Sequence, residues 1–129
     1  MPWSVSQSRS GGVTANNVTV TVGATATQSL EQGLAKAWIS AANDASIYDS
    51  FNASTGTDHG TGDYSFALTN SFSGVNLYAQ NSTVFTSAAY LATRNSGRDA
   101  SGTIAIEVFD TAGSLNDRST QTSAHGDLV

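Results

Sequence analysis

Over residues 64–69 apolar and polar side chains alternate one for one: Tyr64, Phe66 and Leu68 fall on one face of an extended segment, Ser65, Ala67 and Thr69 on the other. A period of two marks a strand with one buried face. Just before it stands Asp58-His59-Gly60-Thr61-Gly62-Asp63, whose glycines and aspartates supply the positive φ and side-chain-to-backbone bonds of tight turns. The alternation recurs. Val18, Val20 and Val22 alternate with Thr19 and Thr21, and Ile104, Ile106 and Val108 share one face. Further strands are predicted over 34–40, 47–52, 75–80, 88–94 (led by Tyr90) and 118–123. Trp38, Tyr64 and Phe66 are assigned to the core. Between the strands lie a loop at 41–45, a turn-rich connection at 54–63, a turn at 70–74, the polar loop 95–102 and a turn at Ala112-Gly113. Residues 24–32 admit two readings, a helical turn stopped by Gly33 or a short strand.

Seven or eight short strands separated by turns, with one proline and no convincing helix, predict an all-β fold. The expected form is a small, knob-like antiparallel β-sandwich. No fixed repeat appears, which argues against a solenoid or propeller. A chain of 129 residues has the size of one domain. Residues 1–27, with serines at 4, 6, 8 and 10, read as an extended N-terminal arm, and residues 28–129 as the sandwich.

Composition narrows the function. Charged residues make up 12% of the chain and the net charge is −5. The five basic residues, Arg9, Lys36, Arg94, Arg98 and Arg118, are scattered. Nucleic-acid binding needs a basic stripe that displaces phosphate counterions, so none is expected. No apolar run reaches membrane-span length, and the first residues lack signal-peptide form, so no membrane insertion is expected. With no cysteine there is neither a disulfide nor a thiolate ligand.

Ala35-Lys36-Ala37-Trp38-Ile39 resembles the "K-A-W-V/I" strand of a family of tailed-bacteriophage tail-fibre and virion structural domains. In that family the strand precedes "S-(F/L/Y)-N-V-S" and then "D-N-G-T-G-D-Y-T"; Ser50-Phe51-Asn52-Ala53-Ser54 and Asp58-His59-Gly60-Thr61-Gly62-Asp63-Tyr64 follow here in that order and spacing. Asn76-Leu77-Tyr78, the stretch 109–117 and the closing His125-Gly126-Asp127 are similar to later family segments. The likeness covers roughly residues 28–129. His59 stands where Asn is usual, and His125 replaces an apolar residue. The resemblance implies a β-sandwich tip on a fibre or head appendage, typically a homotrimer, on the exterior of the phage particle. Partners would be other copies, other virion proteins of fibre, tail or capsid, and a host-surface glycan. The alternative it leaves is a capsid decoration protein that clamps shell subunits and reads no receptor.

Candidate chemistry is sparse. Asp58 and Asp63 offer hard oxygen donors for a cation, but an Asx turn accounts for them better, so no metal or other cofactor is expected. His59 and His125 with one of many serines form no recognisable hydrolytic pattern, and no enzyme activity is expected. Glu107 and Asp110 fall on opposite faces of an extended strand. Aromatic rings suit stacking on sugars. Tyr90 with the polar loop residues Arg94, Asn95, Arg98 and Asp99 forms the expected receptor-binding surface. Trp3, Val18, Val20 and Val22 are the expected attachment residues, able to add a strand to a partner's sheet. Ile39, Ile47, Phe72, Phe85 and Phe109 are the residues expected to meet between copies.

Overall fold

The computed structural model describes residues 19–22, 26–29, 33–85 and 89–129. Two compact units divide the chain, Met1–Gly33 and Leu34–Val129. Within the first, β1 (Thr19–Val22) and β2 (Ala26–Ser29) pair antiparallel, Thr19 opposite Ser29 and Val22 opposite Ala26. The described part of the ambiguous stretch 24–32 is therefore strand. Val20 and Val22 lie on β1, whereas Trp3, Val18 and the rest of 1–18 fall outside the described residues.

The second unit is all-β. Its strands are β3 (Ala37–Ala41), β4 (Ile47–Phe51), β5 (Ala53–Gly60), β6 (Asp63–Leu68), β7 (Tyr78–Val84), β8 (Leu91–Arg94), β9 (Thr103–Phe109) and β10 (Thr120–Gly126). They form two four-stranded antiparallel sheets of order β4-β3-β10-β7 and β5-β6-β9-β8. The inner faces meet large on small. Tyr64, Phe66, Ile104, Ile106 and Val108 of the second sheet pack against Ala37, Ile39, Ala41, Tyr78 and Ala124 of the first. Bulky residues opposite alanines let the layers interdigitate at crystal-like density, and each large apolar side chain buried contributes about 1.5–3 kcal/mol.

Three joints hold the layers in place. Asn52, between β4 and β5, adopts φ 61°, a conformation that Asn tolerates better than most residues. Its side chain donates to the Lys36 carbonyl (3.1 Å) and the Asn70 carbonyl (2.9 Å) and accepts from the Asn70 amide (2.7 Å), fixing the corner where the chain changes sheets. Gly62, in the β5–β6 turn at φ 66°, has no room for a side chain, because a Cβ would lie 2.7 Å from the Val108 carbonyl oxygen. Its amide donates to Asp117 Oδ1 at 2.7 Å. The third joint is the buried Tyr64, whose hydroxyl lies 2.9 Å from the Asn43 carbonyl and 3.2 Å from Asp117 Oδ1, and accepts from the Arg118 amide at 3.2 Å. The phenol thus ties a β6 residue to the β3–β4 loop and to the β9–β10 crossing.

Several expectations need correction. Residues 54–63 are not a turn-rich connection: β5 runs to Gly60 and only Thr61-Gly62 turn the hairpin. This edge strand is polar because most of it faces solvent, so it carries no apolar alternation. The strand expected over 75–80 is β7, displaced toward the C-terminus, since 75–77 form a turn closed by the Leu77 amide on the Gly74 carbonyl. Trp38 is not a core residue: Ala37, Ile39 and Ala41 take the inward positions, and Trp38 is 39% exposed. Ile39 and Phe72, expected between copies, are buried in the chain's own core at 2% and 1% exposure, leaving Phe85 as the fully outward member of that set.

Gly56 marks the tightest contact between layers, because a Cβ there would lie 1.9 Å from the Ala45 carbonyl oxygen. Backbone cannot yield as a side-chain tip does. Gly56→Ala is expected to destabilise the fold by about 3 kcal/mol or more, measured by denaturant unfolding.

Candidate functional site

The polar loop that sequence singled out connects β8 to β9, and most of its chemistry is turned inward. Asn95 is buried; its Nδ2 donates to Asp63 Oδ1 (3.0 Å) and its Oδ1 accepts from the Gly97 amide (3.0 Å). Arg98 Nε donates to Asp63 Oδ2 at 2.7 Å, with the Arg98 side chain 43% exposed. The Asp99 side chain is only 1% exposed and accepts from both the Tyr78 hydroxyl and the Arg94 guanidinium, which also donates to the Val75 carbonyl. That guanidinium lies 4.3 Å from the Tyr78 ring centroid, and the ring stacks on Phe72 at 4.3 Å and 14°. Arg94, Tyr78 and Phe72 thus form a layered stack with Asp99 closing its polar edge. Tyr90 has a different partner, the Arg118 guanidinium 4.5 Å from its ring centroid. The structure brings Arg94, Asn95, Arg98 and Asp99 together as a clasp in which Arg94 and Asp99 hold Tyr78 of the first sheet and Asn95 and Arg98 hold Asp63 of the second, and Arg98 is the member that reaches furthest into solvent.

Electrostatics follow from burial. Desolvation, and next the nearby Asp117 carboxylate, raise the Tyr64 phenol pKa well above its ordinary 10.0. Desolvation, and next the hydrogen bond to Asp99, do the same for Tyr78. Asp58 closes its own turn by accepting from the Gly60 amide at 2.8 Å. His59 Nε2 lies 2.8 Å from Ser65 Oγ on the exposed side of the second sheet, while His125 is on β10 of the first, so the two histidines are not brought together. Asp110 accepts from the Ala112 and Ser114 amides and serves a turn.

The outward face of the first sheet is built differently. Strand register aligns Phe51, Trp38, Ser123 and Asn81 in one cross-strand row, and Asp49, Ser40, Gln121 and Thr83 in the next. Trp38 and Ser40 of β3, Gln121 and Ser123 of β10, and Asn81 and Thr83 of β7 line an open concavity of about 380 Å³. Among the described residues, the side chains of Ser40, Asn81, Gln121 and Ser123 make no hydrogen bond to protein. The inward partners on the same strands, Gln80, Ser82 and Thr122, bond to one another. Sequence reasoning missed this face by assigning Trp38 inward. The signal was present in Ala37-x-Ile39-x-Ala41, whose own alternation sends Trp38 outward.

Comparison with protein-family models, curated proteins and solved structures finds no match.

Two measurements check the clasp and the buried phenols. Asp99→Ala leaves the Tyr78 hydroxyl and Arg94 without their acceptor, and is expected to cost about 2–4 kcal/mol in denaturant unfolding. Both phenols bind their proton more tightly folded than unfolded, so their contribution is complete below about pH 10 and is lost as pH rises from there toward the folded values. Denaturation midpoints are therefore expected to fall above about pH 10, and Tyr64→Phe or Tyr78→Phe to make that fall shallower.

Proposed function

We propose that the chain is a structural domain of a tailed-bacteriophage appendage, carried on the particle exterior on a tail fibre or head appendage, where it takes part in host adsorption. One observation carries the reading. The residues that resemble the phage family are those on which the fold's joints depend: Asn52 makes the left-handed corner, Gly62 the crowded turn, Asp63 the anchor for Asn95 and Arg98, and Tyr64 the buried phenol. Four motif positions that each carry an architectural role support the reading.

The role is display and contact. The first unit, with Trp3, Val18, Val20 and Val22, serves attachment to neighbouring virion proteins, and Arg98 with Tyr90 contributes to the receptor side. The sandwich assembles as a homotrimer. One apolar surface open to other copies is the row Leu91, Phe109 and Leu115 on the second sheet, where Leu91 and Leu115 are exposed and both pair with Phe109. Burying such a row between copies is the usual fate of an exposed apolar patch.

Antibody against the chain, viewed on particles by electron microscopy, is expected at appendage ends. Dense labelling over the shell would instead identify a decoration protein, and no labelling would overturn the virion reading. Light scattering is expected to give three times the mass of one chain, with Leu91→Asp returning it to one; a single-chain mass for the unmodified protein would remove the trimer.

A further inference from the structure

We propose that the outward face of the β4-β3-β10-β7 sheet, centred on Trp38, binds a neutral oligosaccharide. This rests on the adsorption reading for its setting and adds a second surface to the receptor side; the binding itself does not require the chain to sit on a virion.

Chemistry selects the ligand. The concavity combines one large aromatic surface with uncharged side chains that both donate and accept, the amides of Asn81 and Gln121 and the hydroxyls of Ser40 and Ser123. Sugar rings offer the matching pair of surfaces, an apolar C–H face for the indole and a rim of hydroxyls that need a donor and an acceptor at once. The residues lining the concavity carry no charge, and Asp49 at the end of the second row is acidic. An acidic sugar, a phosphate or a nucleic acid would need cations there. The arginines of the β8–β9 clasp are already engaged with Asp99 and Asp63.

Geometry agrees. The volume, about 380 Å³, falls in the range of small-ligand sites. The three strands that line the concavity, spaced about 4.8 Å apart, make it roughly 10 Å long, the reach of a disaccharide more than of a single sugar. The contacting residues stand on paired strands backed by the core, so little backbone or loop ordering is required on binding. A second copy of the chain fits less well, because the more apolar row, Leu91–Phe109–Leu115, lies on the other sheet.

The test is a glycan array carrying neutral and acidic oligosaccharides, followed by calorimetric titration of any neutral binder. The unmodified chain is expected to bind one or more neutral glycans. Trp38→Ala is expected to weaken binding at least tenfold, Gln121→Ala to weaken it several-fold, and Thr57→Ala on the opposite sheet to leave it unchanged. Circular dichroism establishes that each variant is folded, and Gln121→Ala carries the test should Trp38→Ala fail to fold. Binding of no neutral glycan, binding of acidic glycans alone, or binding unaffected by both variants would overturn the proposal. So would a Trp38→Ala protein that loses self-association while the unmodified chain binds no glycan. These results are independent of where antibody labels the particle, so failure of glycan binding and failure of the virion reading are separable.

Discussion

A tyrosine packed between two sheets brings a hydroxyl to a place that water reaches poorly, and leaving such a group unpaired costs about 1–3 kcal/mol. The chain meets this constraint twice, at opposite ends of the chemistry. Tyr64 of the second sheet reaches the Asn43 carbonyl and Asp117, and Tyr78 of the first sheet reaches Asp99. Asp99 sits in the β8–β9 loop of the second sheet and Asn43 in the β3–β4 loop of the first, so each phenol binds its own layer to a connection of the other, with Asp117 on the crossing between them. Without Asp117 the hairpin amide of Gly62 would lose its acceptor, and without Asp99 the Arg94 guanidinium stacked on Tyr78 would lose its counter-charge.

Much of this fold was readable from sequence, and the failures share one cause. The apolar alternations of β6 and β9 predict their inward residues correctly, because Tyr64, Phe66, Ile104, Ile106 and Val108 each bury a large side chain. β5 reads as a turn and β7 as a strand begun too early because β5 is polar on both faces and the middle of β7 is polar on both. The inward positions of β7 include Gln80 and Ser82, whose bonds to each other and to Thr122 do the work that apolar side chains do elsewhere. Such a strand is recognised by its partners, and no local pattern announces it. Trp38 differs from the expectation for the converse reason: a large aromatic sits outward while Ala37, Ile39 and Ala41 beside it set the phase of the strand.

The loop between β8 and β9 carries a second lesson. Asn, Arg and Asp gathered in a connection look like a recognition surface, yet Asn95 and Asp99 point inward and only Arg98 extends far into solvent. Whether a polar loop is a brace or a hand depends on partners distant in sequence, here Asp63 and Tyr78, which composition alone does not reveal. Asn52, Gly62, Asp63 and Tyr64 behave likewise, since they report how the sandwich is joined.

The unequal inner faces limit what the interior can accept. Ala37, Ala41 and Ala124 of the first sheet are fully buried opposite Tyr64, Phe66 and the β9 side chains, so enlarging any of them would press the layers apart. Ser40, Gln121 and Ser123 point away from that interior, and a change of size there leaves the spacing of the layers untouched.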